Sequence, residues 1–317
     1  MATFPRNNAL NPTGDGNGYS CVSCNTDLIN PITRVGFSLI AYFLDIHRWK
    51  RIMDSPSLAS VRLRMIRVDN HSHIIHATIK EMVAAAKANN LTEYSITEHV
   101  SQFTELRNSA GFGSVHDKGR MFESLNEYTA EFGKIDRESQ KMRINRGLEV
   151  DYSPRYEVKV GDFVNQEDWD ILLCSIHEFE DGKDIERTGR EIVDRLVAYA
   201  RWYDYFRLEQ MALESDFVPF SVLSHPVRMS RAVKLVPPEI DDLLIDLATT
   251  ARRRKKALEL NGNDIDYAPG LVRRLAMACS KAGCKVSLGS DAHYPKDVFQ
   301  NMDVAMDLVH QFKLQSL

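Results

Sequence analysis

MIRVDNHSHIIH, residues 65–76, sets the pattern for the whole chain: a β-branched run passes straight into Asp69, His71, His73 and His76. Side chains of an extended segment alternate between its two faces, so His71 and His73 project to the same side. Two imidazoles sent the same way from a strand end suit a metal ion. The stretch therefore predicts a metal-dependent hydrolase whose other ligands come from elsewhere in the chain.

Working outward, short apolar runs recur at 93–97 (EYSIT), 143–150 (RINRGLEV), 171–175 (ILLCS), 219–224 (PFSVLS), 256–261 (KALELN) and 285–290 (KVSLGS). Helical patterns are predicted between them, over 78–89, 120–136, 187–208, 238–252, 268–282 and 297–312. Such alternation calls for parallel strands joined by helical crossovers. Seven strands of similar weight, counting 65–69, predict an α/β barrel or near-barrel rather than a doubly wound sheet. Chemistry in such folds gathers at the carboxyl ends of the strands. Those ends carry Asp69, His71, His73 and His76, then Glu98 and His99, Glu149 and Asp151, His177, His225, Glu259 and Asn261, and finally Asp291 with His293. Convergence at one rim would make them a single metal-binding cluster.

Composition narrows the class. The chain has 317 residues, 44% hydrophobic and 26% charged, which is ordinary for a globular protein. A formal charge of −4 carries no overall signature of nucleic-acid binding, although a local basic channel is compatible with it. No apolar run approaches the roughly 20 residues of a spanning helix. The nearest, GFSLIAYFL at 36–44, is short and placed late for a signal peptide. No membrane contact is expected. Five cysteines without framework spacing fit a reducing compartment, so a cytoplasmic location is the expectation.

Two domains are predicted: an N-terminal extension, residues 1–64, and a catalytic barrel, residues 65–317. Within the extension, NNALNPTGDGNG at 7–18 favours turns. TRVGFSLIAYFLDIHRWKRIM at 33–53 reads as a packing helix, docking on the barrel, on a second copy or on a protein partner. Cys21 and Cys24 offer half of a four-ligand zinc site. The other half would need the more widely spaced Cys279 and Cys284, which favours simple thiols.

The blocks VDNHSH (68–73), SITEH (95–99), GLEVDY (147–152), CSIH (174–177), LSHP (223–226) and LGSDAH (288–293) occur in an order that resembles the PHP family, named for polymerase and histidinol phosphatase. The likeness runs from about residue 65 to about 312 and points to the histidinol-phosphatase-like branch. It implies a distorted (β/α)7 barrel with up to three metal ions. One would be held by His71, His73, Glu149 and Asp291. Glu149 would bridge to a second, held also by His177 and His225. A third would be held by His76, His99 and His293. Two departures stand out. Glu98 occupies a position where aspartate is usual, and the segment from His73 to the next helix is short, which bears on His76.

The implied reaction is hydrolysis of a small-molecule phosphomonoester by a metal-activated hydroxide. The cofactors would be two or three divalent ions, Zn2+, Mn2+ or Fe2+, all compatible with a mixed His/Asp/Glu set. Glu149 and Asp291 would be catalytic as well as ligating. Glu98, Asp69 or Asp151 would fix histidine tautomers. Arg228, just past His225, is a candidate phosphate clamp or alternatively covers a helix start. SAGFGSVHDKGR at 109–120 is a candidate lid or nucleotide-contacting loop, with His116 a candidate acid or substrate contact, and Lys118 and Arg120 beside it. Its glycines follow no strand, which excludes a dinucleotide fingerprint.

Two stretches have bland readings: RWYDYF at 201–206 as helix core, and RRRKK at 252–256 as a solvated helix cap. The residues leave a nucleotide or nucleic-acid phosphodiesterase open as an alternative. A non-catalytic metal-binding module is disfavoured by the full set of ligands.

Overall fold

A computed structural model describes residues 67–110, 119–135, 137 and 141–317. Within them, each short apolar run pairs in parallel with the run before it. Strands β1 (Val68–Asp69), β2 (Glu93–His99), β3 (Arg143–Asp151), β4 (Ile171–Ser175), β5 (Val222–Leu223), β6 (Ala257–Asn261) and β7 (Lys285–Gly289) form one sheet in chain order. Beyond β7 the chain returns to β1. Asn70 N donates to Leu288 O at 2.8 Å, Asp291 N to His71 O at 2.9 Å and His73 N to Ala292 O at 2.8 Å. The sheet thus curls into a nearly closed (β/α)7 barrel, as the alternation predicted.

Closure and register position the candidate ligands. The last β2–β3 pair sets His99 beside Glu149. The β1–β7 bonds bring His71 and His73 against Asp291 and His293. Period-two alternation then sorts the interior by depth. Leu173, Val222 and Ala257 pack together as a buried apolar plug. Two residues further along the same strands, Ser175, Ser224 and Glu259 face the polar end. Gly147 lets β3 and β4 approach, since a Cβ there would lie 2.5 Å from Ile171 O.

The outer layer comprises α1 (Ile79–Ala88), α2 (Thr104–Ala110), α3 (Leu125–Phe132), α4 (Glu157–Val164), α5 (Ile185–Arg190), α6 (Arg195–Glu214), α7 (Ile240–Arg253), α8 (Gly262–Tyr267), α9 (Pro269–Ala282) and α10 (Met302–Phe312). Caps explain several boundaries. Thr78 and Glu81 form a reciprocal capping box at α1. The predicted helix 187–208 is two helices, because Asp194 accepts from Leu196 N and Val197 N and starts a new one at Arg195. Ser124 likewise starts α3 later than the predicted 120. Helices α4 and α8 fall where no helical pattern was predicted. The second follows β6 directly, with Asn261 accepting from Asp264 N.

RWYDYF lies in α6, where Trp202, Tyr205 and Phe206 are buried. RRRKK closes α7 on the rim opposite the ligands. There Arg253 pairs with Glu214, Arg254 pairs with Asp216, and Lys256 Nζ donates to Phe220 O at 2.7 Å. Cys174, Cys279 and Cys284 are buried free thiols. The predicted 1–64 extension, its helix 33–53, Cys21 and Cys24 lie outside the described residues. No helix among the described residues is long and apolar enough to cross a membrane.

Candidate metal centre

Glu149, at the end of β3, stands in the middle of the rim. Its Oε1 accepts from Ser175 Oγ at 2.5 Å and lies 2.8 Å from His225 Nε2 and 3.5 Å from His177 Nε2. Its Oε2 lies 2.8 Å from His99 Nδ1, 3.3 Å from His71 Nε2 and 3.4 Å from His73 Nε2. Opposite, Asp291 Oδ1 is 3.4 Å from His73 Nε2 and 3.7 Å from His71 Nε2. Two of these ligands have unusual backbones: His225 has φ +33° and Asp291 has φ +59°. Held left-handed conformations of this kind concentrate at functional sites.

Three acidic side chains brace the imidazoles from behind. Glu259 Oε1 is 2.9 Å from His71 Nδ1, and Glu98 Oε1 is 3.4 Å from His73 Nδ1. Asp151 pairs with His177 Nδ1. Glu98 is itself fixed by the backbone N–H groups of Ile74 at 2.9 Å and His99 at 3.0 Å, so the longer side chain is accommodated locally. Asp69 touches no imidazole. It accepts instead from Ser290 N at 2.8 Å, Ser290 Oγ at 2.6 Å and Phe299 N at 2.9 Å, tying β1 to the segment after β7.

The arrangement fits divalent ions on its own geometry. With both Nδ1 atoms turned to carboxylates, the Nε2 atoms of His71 and His73 face each other at 3.1 Å. Two lone pairs that close call for a shared proton or a bound cation between them. Among the described residues, four groups have donor atoms all within 4.8 Å of one another: His71, His73 and Asp291; Glu149, His177 and His225; His73, His99 and His293; and His99, Asp151 and His177. The first two coincide with the expected sets, Glu149 Oε2 flanking the first.

His76 is the exception. It is exposed beyond a short turn, its ring stacked on Tyr294 at 4.9 Å, and it joins none of these groups. His73 takes the corresponding place beside His99 and His293, because only Ile74 and Ile75 separate His76 from His73 and the turn carries it outward.

Electrostatics agree with a cation-demanding site. Burial opposes charge on Glu149, yet His99, His71 and His177 hold it well below the carboxylate range. Asp291 is likewise buried but held well below by His71, His73, Arg231 and His293. Burial resists protonation of His73, and its bonds to Asp291 and Glu98 outweigh that, raising it to about 9. Burial holds His225 well below the imidazole range and His293 at about 3. His71 is raised as well, Glu259, Glu149 and Asp291 outweighing its burial, so the carboxylates draw positive charge to this pair, a charge that bound cations would supply instead.

Other expected residues are placed differently. Arg228 Nη2 lies 3.0 Å from Glu186 Oε1, with the side chain 13% exposed. Arg120 is paired with Glu131 and Glu127 and lies over Phe122. Lys118 and His116 lie outside the described residues. Two residues were not singled out from sequence for the roles they take. Arg231 reaches Asp264 at 2.7 Å and Asp291 Oδ2 at 3.0 Å. Glu259 was noted only as a strand end. Available signals were the three-residue spacing of Arg228 and Arg231 on one short turn, and the inward parity of Glu259 in ALELN.

A barrel whose carboxyl rim holds buried imidazoles around a shared carboxylate defines a metal-dependent hydrolase acting on phosphate esters. The chain belongs to the PHP domain family, whose model matches residues 69–263. It is 23% identical over 257 residues to a histidinol-phosphatase of Lactococcus lactis, covering 77% of this chain and 91% of that protein. It is 27% identical over 245 residues to a DNA polymerase/3'-5' exonuclease of Bacillus subtilis, 75% of this chain but 36% of that protein. Its fold matches the crystal structure of histidinol phosphate phosphatase from Lactococcus lactis complexed with zinc, L-histidinol and phosphate. That match has a TM-score of 0.65 at 19% identity and covers 80% of this chain and 95% of the other. A putative histidinol phosphatase from Listeria monocytogenes matches with a TM-score of 0.59 at 20% identity, covering 73% and 97%.

Proposed function

We propose that this chain hydrolyses a small-molecule phosphomonoester, releasing an alcohol and inorganic phosphate. His71, His73, His99, Glu149, His177, His225, Asp291 and His293 would hold two or three divalent ions, Zn2+, Mn2+ or Fe2+. The observation that carries the reading is the depth of the site. The side chains of His71, His73, His225 and Glu149 are fully buried, whereas that of His293 is 30% exposed. Groups this deeply buried, with His293 partly open to solvent, suit a terminal phosphoryl group, whose single ester substituent stays outside. An internal diester has two substituents to accommodate.

When bound, divalent ions lower the pKa of water and draw charge off phosphoryl oxygens. The residues do the rest. Glu149 turns one oxygen towards His177 and His225 and the other towards His71, His73 and His99, so it would be the residue shared between two ion sites. Arg231, clamped by Asp264 and Asn261, orients Asp291. Arg228 would contact the phosphate, its Nη2 anchored on Glu186 Oε1 at 3.0 Å and its charge felt at His225.

The test is hydrolysis of a panel of phosphorylated metabolites and oligonucleotides by protein of measured metal content, with the His71→Ala/His73→Ala double variant as control. Phosphate release from monoesters, lost in the variant, is expected. Shortened oligonucleotides without phosphate release would assign a phosphodiesterase instead, the reading that the polymerase/exonuclease relative favours.

A further inference from the structure

We infer that Glu259 is a positioning residue that holds one ligand from each of two metal sets and works only as a carboxylate. This rests on the metal-dependent phosphoesterase reading, and deepens it. Glu259 lies on β6, a strand that contributes no member to the four donor groups, and its side chain is fully buried. Alternation along Ala257–Asn261 turns Glu259 inward between the outward Leu258 and Leu260.

Each oxygen of Glu259 has a separate task. Oε1 sits 2.9 Å from His71 Nδ1. Accepting that N–H fixes the tautomer in which His71 Nε2, facing Glu149 and Asp291, carries the free lone pair. Oε2 accepts from the backbone N–H of His225 at 2.8 Å and from Asn261 Nδ2 at 2.9 Å. The His225 backbone is held at φ +33°, a conformation that costs free energy in a non-glycine residue and needs such an anchor. From it, Nε2 is directed at Glu149 Oε1, 2.8 Å away. Asn261 extends the brace, its Oδ1 accepting from Arg231 Nη2 at 3.1 Å, and the same Nη2 reaches Asp291 at 3.0 Å.

The surroundings are shaped to admit this pair. A Cβ on Gly289 would fall 2.1 Å from Glu259 Oε1 and 2.4 Å from His71 Cβ. Only a residue without a side chain leaves the contact intact. An amide in place of the carboxylate cannot serve, because His71, His225 and Asn261 all donate to it. With its oxygen towards His71, its NH2 meets the His225 N–H. Turned over, its NH2 meets His71 Nδ1 and drives the proton to Nε2, blocking the lone pair.

The experiment compares full-length wild type, Glu259→Gln and Glu259→Asp, stripped of metal and titrated with Zn2+ and Mn2+ by calorimetry. Protein with 15N-labelled histidine reports the tautomer of His71, and circular dichroism with thermal melting reports the fold. Glu259→Gln is expected to fold and to bind metal about 10- to 100-fold more weakly, with the His71 tautomer shifted. Glu259→Asp, which keeps two acceptors, should recover part of the affinity. Wild-type affinity and tautomer in folded Glu259→Gln would overturn the inference, as would a wild type that binds no divalent ion. If Glu259→Gln fails to fold, Gly289→Ala provides the same test from the opposite side of the contact, and unchanged affinity and tautomer there would overturn it equally. Weakened binding in Glu259→Gln with no hydrolysis of any phosphate ester by metal-loaded wild type leaves Glu259 in its role and removes the phosphoesterase reading.

Discussion

Single side chains show how much of this protein is charge held out of water. Glu209, fully buried in α6, lies outside the metal-binding groups. Burial pushes its carboxyl well above the usual range and Asp264 adds to the shift, while both carboxyl oxygens lack a hydrogen-bond partner among the described residues and the Tyr205 hydroxyl donates to His225 O instead. The folded state therefore keeps Glu209 protonated at pH values where the unfolded chain, with a carboxyl pKa of about 4.3, has ionised it. Stability contributed by the neutral acid is full below that value and falls as pH rises, by about 1.4 kcal/mol per unit until the folded pKa is reached. Glu209→Gln should accordingly be more stable than wild type at pH 7 and lose that advantage near pH 4. Urea unfolding at several pH values checks this. A stability difference that does not vary with pH would contradict it.

Residue identity alone marked most of the rim. His71, His73, His99, Glu149, His177, His225, Asp291 and His293 are polar groups just past apolar runs, where a water-exposed loop explanation competes poorly. His76 was set apart in the sequence only by the short segment between His73 and the next helix. What separates it is the direction of a single turn after His73, which one-dimensional spacing does not encode.

At the scale of elements, local chemistry explains where helices start more reliably than periodicity explains their length. Asp194 divides one predicted helix into α5 and α6, and Ser124 delays α3, although both stretches keep apolar residues at helical spacing. Glycines divide into two kinds. Gly283 ends α9 at φ +67°, and a Cβ there would meet only Arg252 side-chain atoms at 3.6 Å or more. Gly147 has ordinary room in φ but none for a side chain, with Ile171 O at 2.5 Å. Gly283→Ala should thus cost about 1 kcal/mol of backbone strain. Gly147→Ala, which must push β3 from β4 beside Glu149, should cost up to about 3 kcal/mol and also reduce hydrolysis. Denaturant unfolding with parallel activity assays separates the two, and equal costs with equal activities would refute the distinction.

Across the whole molecule, the barrel gathers acidic and imidazole groups that repel or desolvate one another without a cation. Metal that binds only the folded chain adds stability by mass action, about 1.4 kcal/mol for each tenfold excess over its dissociation constant. Chelation should lower the melting temperature and abolish phosphate ester hydrolysis, and readdition of Zn2+ or Mn2+ should restore both in a concentration-dependent way. A melting temperature indifferent to chelator and metal would contradict this account. The sequence by itself determined the strand–helix alternation, the parallel barrel and most of the residues that meet at its carboxyl rim, because hydrophobic period and residue chemistry are local properties. Only the tertiary structure decided that His76 turns outward, that Arg231 clamps Asp291 and that Glu259 joins two ligand sets. Those outcomes depend on barrel closure and on which side chains meet across it, distances between residues far apart in the chain.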